Sequence, residues 1–170
     1  MTWIAETERL YLREMTPADA EHAYRLNLDA DVIRYTGDRP FEDVEQATRF
    51  LEAYDHYRRY GFGRWAVIQK SDEAFLGWCG LKYTEDLDEY DIGFRFFKSR
   101  WGQGFATESG RKCLELGFNR FQMPCIVGRV MRANTASVRV LEKLGLRLFA
   151  TFDFDGEEGW IYRLVRSEFS

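Results

Sequence analysis

Arg100-Trp-Gly-Gln-Gly-Phe-Ala-Thr-Glu108 joins an apolar segment ending near Phe97 to an amphipathic one that carries Ala106, Cys113, Leu114, Gly117, Phe118 and Phe121 on one stripe. Two glycines in three positions let the chain bend sharply with its N–H groups clear of side chains. The helix beginning there leaves four N–H groups without intrahelical partners and carries about half a positive charge at that end. A strand, a glycine bend and a helix start, in that order, make a seat for a phosphate or diphosphate, with an ordinary glycine turn as the plainer alternative. Two other phosphate loops fail on their letters. A dinucleotide-binding fingerprint needs a third glycine where Thr107 stands, and no Gly-Lys-Ser/Thr loop is present.

Outward from this bend the chain alternates between two periodicities. Arg9–Glu14 alternates like a half-buried strand. Thr16-Pro17 supplies an N-cap and a first helical residue for a helix running to about Leu28. After a turn near Gly37-Asp38-Arg39-Pro40, a second helix is expected over Asp43–Tyr60, with Ala47, Phe50, Leu51 and Tyr54 at helical spacing. Strands are expected at Arg64–Gln69, Phe75–Tyr83 and Tyr90–Phe97, then a helix over Gly104–Phe121 stopped by Pro124, and a strand over Cys125–Met131. A short helix over Ala136–Leu144 ends at Gly145, and a hairpin of Leu146–Phe154 and Trp160–Val165 turns at Asp155-Gly156. The order βαα–βββ–α–β–α–ββ predicts an α/β fold with a mixed sheet.

Composition narrows the classes. At 170 residues, 45% hydrophobic and 31% charged, the chain fits one domain over residues 1–170. Its 14 Phe, 9 Tyr and 5 Trp argue against disorder. A net charge of -4 gives no attraction to phosphate backbones, so no nucleic-acid partner is expected. No segment approaches the roughly 20 apolar residues of a membrane helix, and Met1–Arg9 lacks the basic and apolar regions of a secretory leader. Cys79, Cys113 and Cys125 form no CxxC pair or disulfide framework, which suits a reducing cytoplasm. With only His22 and His56 there is no zinc motif and no recognisable Ser-His-Asp setting, so no metal is expected.

A second stretch, Asn134-Thr-Ala-Ser-Val-Arg-Val-Leu-Glu-Lys-Leu-Gly145, follows a strand directly. Asn134 stands where it either caps the helix or holds a ligand between strand and loop. Ser137 falls in the first turn, where serine commonly makes a local hydrogen bond.

Together the two stretches resemble the Gcn5-related N-acetyltransferase (GNAT) superfamily, and more narrowly the branch containing the ribosomal-protein-alanine N-acetyltransferases. That branch carries Trp-Gly-x-Gly-aromatic-Ala-Thr-Glu, matched by Trp101 through Glu108, and Asn-x-x-Ser with a Glu-Lys-x-Gly helix end, matched by Asn134, Ser137, Glu142, Lys143 and Gly145. The resemblance implies a sheet whose two central strands splay apart around acetyl-CoA. Backbone amides of Trp101, Gly102, Gln103, Gly104, Phe105, Ala106 and Thr107 would wrap the pyrophosphate. Phe94, Arg95 and Phe96 would pair with the pantetheine arm, and Asn134 would hold it from the other side. Trp101 replaces the Gln or Arg of the wider superfamily, as is normal for the branch. Leu141 stands where many members carry a tyrosine, and Phe149 where a Gly-Phe-x-x-Glu carboxylate is expected.

The expected activity is acetyl transfer from acetyl-CoA directly to a primary amine in a ternary complex, by a monomer or homodimer with no membrane partner. The acceptor is a protein or peptide N-terminus, an amino acid, a polyamine or an amine drug. An α-amino group loses its proton more readily than a lysine side chain, so positioning and oxyanion stabilisation carry much of the work. Ser137 is the candidate acid, or a hydrogen-bond anchor for the thiol. Asp91 in Tyr90-Asp-Ile-Gly-Phe94 is the candidate base, unless it only pairs with Arg95 or water. Glu85, Asp86, Asp88, Glu89 and Asp91 form either a solvated turn or a funnel for a cationic amine. Glu108 is expected to complement the helix dipole, Tyr35, Phe41, Tyr54 and Tyr57 to pack or line an acceptor groove, and the cysteines to be inert core thiols. The rivals are a non-catalytic acyl-CoA sensor of the same fold and an unrelated phosphate-binding α/β protein.

Overall fold

Strand periodicity and a register that opens on one side organise the protein, a computed structural model of which describes residues 3–170. Met1 and Thr2, which open the stretch read above for a leader, lie outside the described residues. The strands are β1 Trp3–Glu6, β2 Leu10–Glu14, β3 Arg64–Gln69, β4 Phe75–Thr84, β5 Glu89–Phe96, β6 Cys125–Met131, β7 Arg147–Phe154 and β8 Glu157–Val165. They form one sheet in the order β1-β2-β3-β4-β5-β6-β8-β7. Every neighbouring pair is antiparallel except β5 and β6. While β4 and β5 stay in register from Gly77↔Phe96 to Thr84↔Glu89, the parallel pair β5 and β6 meets only at Asp91↔Val127. Past that bridge, the facing edges of the two central strands are unpaired.

The helices are α1 Ala20–Leu28, α2 Ala30–Ile33, α3 Val44–Ala53, α4 His56–Tyr60, α5 Phe105–Glu115 and α6 Thr135–Lys143. Alternation along β4 and β5 sends Cys79, Leu81, Ile92 and Phe96 into the main core with Phe105, Cys113 and Leu114 of α5. Trp78, Asp91, Gly93 and Arg95 face the opposite side, beneath residues of α1, α3 and α4. Phe118 and Leu114 are fully buried, each such side chain contributing about 1.5–3 kcal/mol. The Sγ atoms of Cys79 and Cys113 lie 3.6 Å apart in that core, where burial pushes the Cys113 thiol well up, as expected of inert core thiols. Cys125, also expected in the core, is only partly buried at the start of β6.

The structure differs from the sequence expectation in four places, one of them the short helix α2, which is not expected from the sequence. The helix expected over Asp43–Tyr60 divides at Tyr54, whose ψ is 105°. Ala47 and Leu51 bury through α3, and the break turns the phenols of Tyr54 and Tyr57 towards β3. The helix expected over Gly104–Phe121 widens after Glu115 into a π turn over Leu116–Arg120 that buries Gly117 and Phe118. A strand not read in the sequence, β1, pairs with β2, and its Trp3 stacks on Tyr11 with ring centroids 4.2 Å apart. The Asp155-Gly156 turn has positive φ at both residues, 49° and 88°, as a two-residue hairpin requires.

Thr16 caps the turn that leads into α1, with Asp19 returning a bond to the Thr16 amide. Asp19 also takes a bidentate ion pair from Arg13 at 2.7 and 2.8 Å. Burial works to raise the Asp19 carboxyl, but the hydrogen bonds from Arg13 and Thr16 and the Arg13 charge outweigh it and hold the carboxyl below its ordinary 3.8. Its stabilisation is therefore complete above pH 4 and is lost as pH falls from about 4 through the lower folded value. Asp19→Asn, which leaves Arg13 buried and unpaired, is expected to cost about 3–5 kcal/mol at pH 7. It should also flatten the acid limb of a urea-denaturation series between pH 5 and 2. An unchanged acid limb contradicts the assignment.

Candidate functional site

The bend at Trp101–Gly104 is held from behind and open in front. Gly102 and Gly104 take φ of 73° and 82°, a left-handed conformation that glycine adopts without penalty. Trp101 Nε1 donates to the Phe96 carbonyl at 3.0 Å, fastening the loop to the end of β5. Arg9 reaches across from before β2, donating to the Gln103 carbonyl at 3.0 Å and lying 4.3 Å from the Phe105 ring centroid. Glu108, expected only to complement the helix dipole, accepts from the Thr7 hydroxyl, the Arg9 amide and Arg9 Nε. Burial opposes its charge, but the bonds from Thr7 and Arg9 prevail and lower its carboxyl from the ordinary 4.5.

No side chain caps α5 at Gly104. Among the described residues, the backbone N–H groups of Gly102, Gln103, Gly104, Phe105, Ala106 and Thr107 have no hydrogen-bond partner. Six donors at the positive end of a helix of 11 residues are chemically matched to a diphosphate. Phe105 is buried in the core, so it faces a ligand only through its amide.

Below the open edges of β5 and β6 lies a cavity of about 670 Å³. Asp91, Phe94 and Arg95 meet Asn134 and Ser137 there, while Phe96 packs into the opposite face and Trp101–Thr107 stand outside the lining. Asn134 caps α6, accepting from the Ser137 amide at 3.3 Å. The cap occupies only Oδ1, so cap and ligand contact are compatible. Asn134 Nδ2 and Ser137 Oγ have no partner among the described residues. Leu141 is buried against Gly128, where a Cβ would lie 2.7 Å from it.

Asp91 does not pair with Arg95; its partner is Arg64, at 2.6 Å from Oδ1. Arg95 is drawn instead to Asn27 at 2.8 Å and Asp38 at 2.7 Å. Arg64, read in the sequence only as the start of a strand, is held at every end. Its amide donates to the Tyr54 hydroxyl at 2.9 Å, and its carbonyl accepts from the Tyr57 hydroxyl. Its guanidinium donates to the Gly80 carbonyl at 2.9 Å and lies 5.4 Å from the Trp78 ring centroid. A Cβ on Gly93 would stand 2.8 Å from that guanidinium, so the glycine clears its bed. Asp91 Oδ2 keeps no partner among the described residues, and Asp91 lines the cavity.

Tyr35, Phe41 and Tyr54 line the cavity, whereas Tyr57 serves the framework. His56 also borders it, but both ring nitrogens are engaged, by the Phe62 carbonyl and the Tyr83 amide. The acidic run is mostly neutralised: Glu85 meets Arg59, Asp88 takes the Tyr83 hydroxyl, Glu89 meets Arg129 and Asp91 meets Arg64. Among the described residues, no group of three His, Cys, Asp or Glu side chains could hold a metal, and no helix is long and apolar enough to cross a membrane.

Comparison with known proteins agrees with this geometry. Residues 9–147 match the family model described as an acetyltransferase (GNAT) domain. The chain is 27% identical to the uncharacterized N-acetyltransferase p20 of Bacillus licheniformis, covering 96% of this chain and 97% of that protein. A GNAT-family acetyltransferase from Bacillus anthracis has the same fold, with a TM-score of 0.83 at 24% identity over 96% of this chain and 98% of that one. So does a spermidine N-acetyltransferase from Vibrio cholerae solved with CoA and spermine, with a TM-score of 0.80 at 17% identity over 95% and 98%.

Tyr57 bridges two backbone groups, accepting from the Met15 amide at 3.0 Å and donating to the Arg64 carbonyl. Tyr57→Phe strands both, and is expected to lower unfolding free energy by about 1–3 kcal/mol in urea. A loss under about 0.5 kcal/mol would mean that the phenol does not hold Arg64 in place.

Proposed function

The chain belongs to the GNAT acetyltransferase family, and from that premise we propose that it moves an acetyl group from acetyl-CoA directly to a primary amine, in the cytoplasm and without a metal. The observation that carries this reading is the row of six unpartnered amides at Gly102–Thr107, set beyond a cavity between unpaired strand edges. Acetyl-CoA, when bound, supplies an activated thioester.

The residues of the chain do the rest. Amides of Gly102–Thr107 take the diphosphate, that of Trp101 being engaged by the Lys98 carbonyl at 3.1 Å, and the free edge at Phe94, Arg95 and Phe96 pairs with the pantetheine arm as an added strand. Asn134 holds the arm from the β6 side through its free Nδ2. Asp91, with Oδ1 fixed on Arg64, turns Oδ2 to the acceptor and takes the proton that the amine sheds, directly or through a water. Ser137 Oγ donates a hydrogen bond to the departing sulfur. Attack forms the C–N bond and breaks the C–S bond, and the departing thiolate takes a proton through Ser137 or solvent, replacing the one the amine gave to Asp91 and leaving an amide and free CoA. Cys79 and Cys113, both buried, take no covalent part.

The motif likeness to the ribosomal-protein-alanine branch keeps a protein N-terminus among the acceptors, but Phe149, where that branch is expected to carry a carboxylate, is 55% exposed on β7 and absent from the cavity lining. Leu141, lacking the phenol many members carry, favours one alternative: a sensor that binds acyl-CoA without turnover.

Two measurements test the reading. Calorimetry is expected to give micromolar or tighter binding of acetyl-CoA, weakened at least about tenfold by Gly104→Val, which puts a branched side chain at positive φ among the amides. Thiol release across an amine panel is expected to exceed background, with Asp91→Asn and Ser137→Ala each lowering kcat by about 10²–10⁴ while acetyl-CoA affinity is kept. Absence of acetyl-CoA binding rejects the reading; binding without thiol release in the presence of any amine makes the protein a sensor.

A further inference from the structure

The charge around the cavity is one-sided. Among the described residues, the two carboxylates that line it, Asp38 and Asp91, are each already paired with an arginine, Arg95 and Arg64. Three further cations line it: Arg129, which is paired with Glu89, and Arg39 and Lys82, which have no ion pair or hydrogen bond among the described residues. These cations cannot be assigned to the diphosphate of CoA, because Trp101–Thr107 lie outside this lining and bring their own donors. The side facing the acceptor therefore carries spare positive charge and no free carboxylate pair. A polyamine entering here meets repulsion.

Lys82 is placed more tightly than its exposure suggests. It stands directly across from Asp91 in the β4–β5 register, on the same face and bordering the same cavity. Side chains at such paired positions start about 4.5–5.5 Å apart at Cβ. An ammonium thus stands one strand over from the carboxylate assigned to the amine. In an α-amino acid the carboxylate is one carbon from the amine, so a molecule presenting its nitrogen to Asp91 offers its carboxylate to Lys82. Trp78, Phe41 and Phe75 add apolar walls for a side chain.

Resting on the acetyltransferase reading above, we propose that the acceptor is a free α-amino acid with an apolar side chain, and that Lys82 reads its carboxylate while the field of Arg39 and Arg129 draws it in. The same chemistry excludes polyamines as good substrates.

The test compares free leucine, phenylalanine and methionine with their carboxyl-amidated forms and with spermidine, by thiol release at fixed acetyl-CoA. The amidated forms lose their amine proton more readily, so intrinsic reactivity runs against the prediction. The free acids are nonetheless expected to show kcat/KM about ten- to hundredfold higher, the range of a hydrogen bond to a charged group, with a preference that shrinks as salt rises. Lys82→Met is expected to narrow the gap between acid and amide by a similar factor, chiefly through KM, and Lys82→Arg to restore it. Equal or better use of the amides or of spermidine overturns the proposal and leaves the acetyltransferase reading standing. So does turnover confined to peptide N-termini, or an acid preference that survives Lys82→Met. Loss of acetyl-CoA binding in calorimetry on the unmutated protein fails the underlying reading instead.

Discussion

Everything in the site depends on one pairing that stops. β5 and β6 share a single bridge, Asp91↔Val127, and then part, although each remains fully paired on its other side with β4 or β8. Unpaired edges are ordinarily a liability, inviting association or leaving polar groups unsatisfied. Here they face one another across a gap, and the chain after β5 ends in a bend whose six amides are also free. Donors left open at the bend and along the facing edges, on an otherwise well-bonded framework, are what the proposed acetyl-CoA site rests on.

The framework that keeps the path open is anchored from a distance. Arg9 and Thr7 tie the start of the sheet to Glu108 in the first turn of α5. Trp101 ties the loop to Phe96. On the opposite face, Arg64 sits in a bed made by Gly80 and Gly93, with Tyr54 and Tyr57 gripping its peptide and Asp91 its guanidinium. Asp91 is thereby oriented at the very residue where the strands begin to part. Position in the sheet and position beside the cavity are the same fact, and the role in proton transfer proposed for Asp91 draws on that rigidity.

Much of this was legible in the letters. The Gly102 and Gly104 bend, the Asn134 cap, the Asp155-Gly156 turn and the face shared by Asp91 and Arg95 all follow from local rules of backbone freedom and alternation, and the structure has each of them. What escaped is non-local. No pattern in the sequence links Arg64 to Asp91, twenty-seven residues apart, or Arg9 to Glu108, ninety-nine apart, because such pairings are set by strand order and not by spacing. The break at Tyr54 has no glycine or proline to announce it; tertiary hydrogen bonds to Arg64 outweigh helical propensity there. The acidic run around Asp88 looked like a reservoir of negative charge, and only the fold brings Arg59, Arg129 and Arg64 to neutralise most of it.

The central claim is that the open amides and strand edges are one continuous binding path. Titrating the ¹⁵N-labelled protein with CoA and following backbone amide resonances tests it most directly. The account predicts saturable shifts at Gly102, Gly104, Ala106 and Thr107 together with Phe94–Phe96 and Asn134, and none at Gln122, which lies past the far end of α5 and outside the cavity lining. Saturable binding that leaves the Gly102–Thr107 amides unmoved, with shifts gathered elsewhere on the surface, would contradict it.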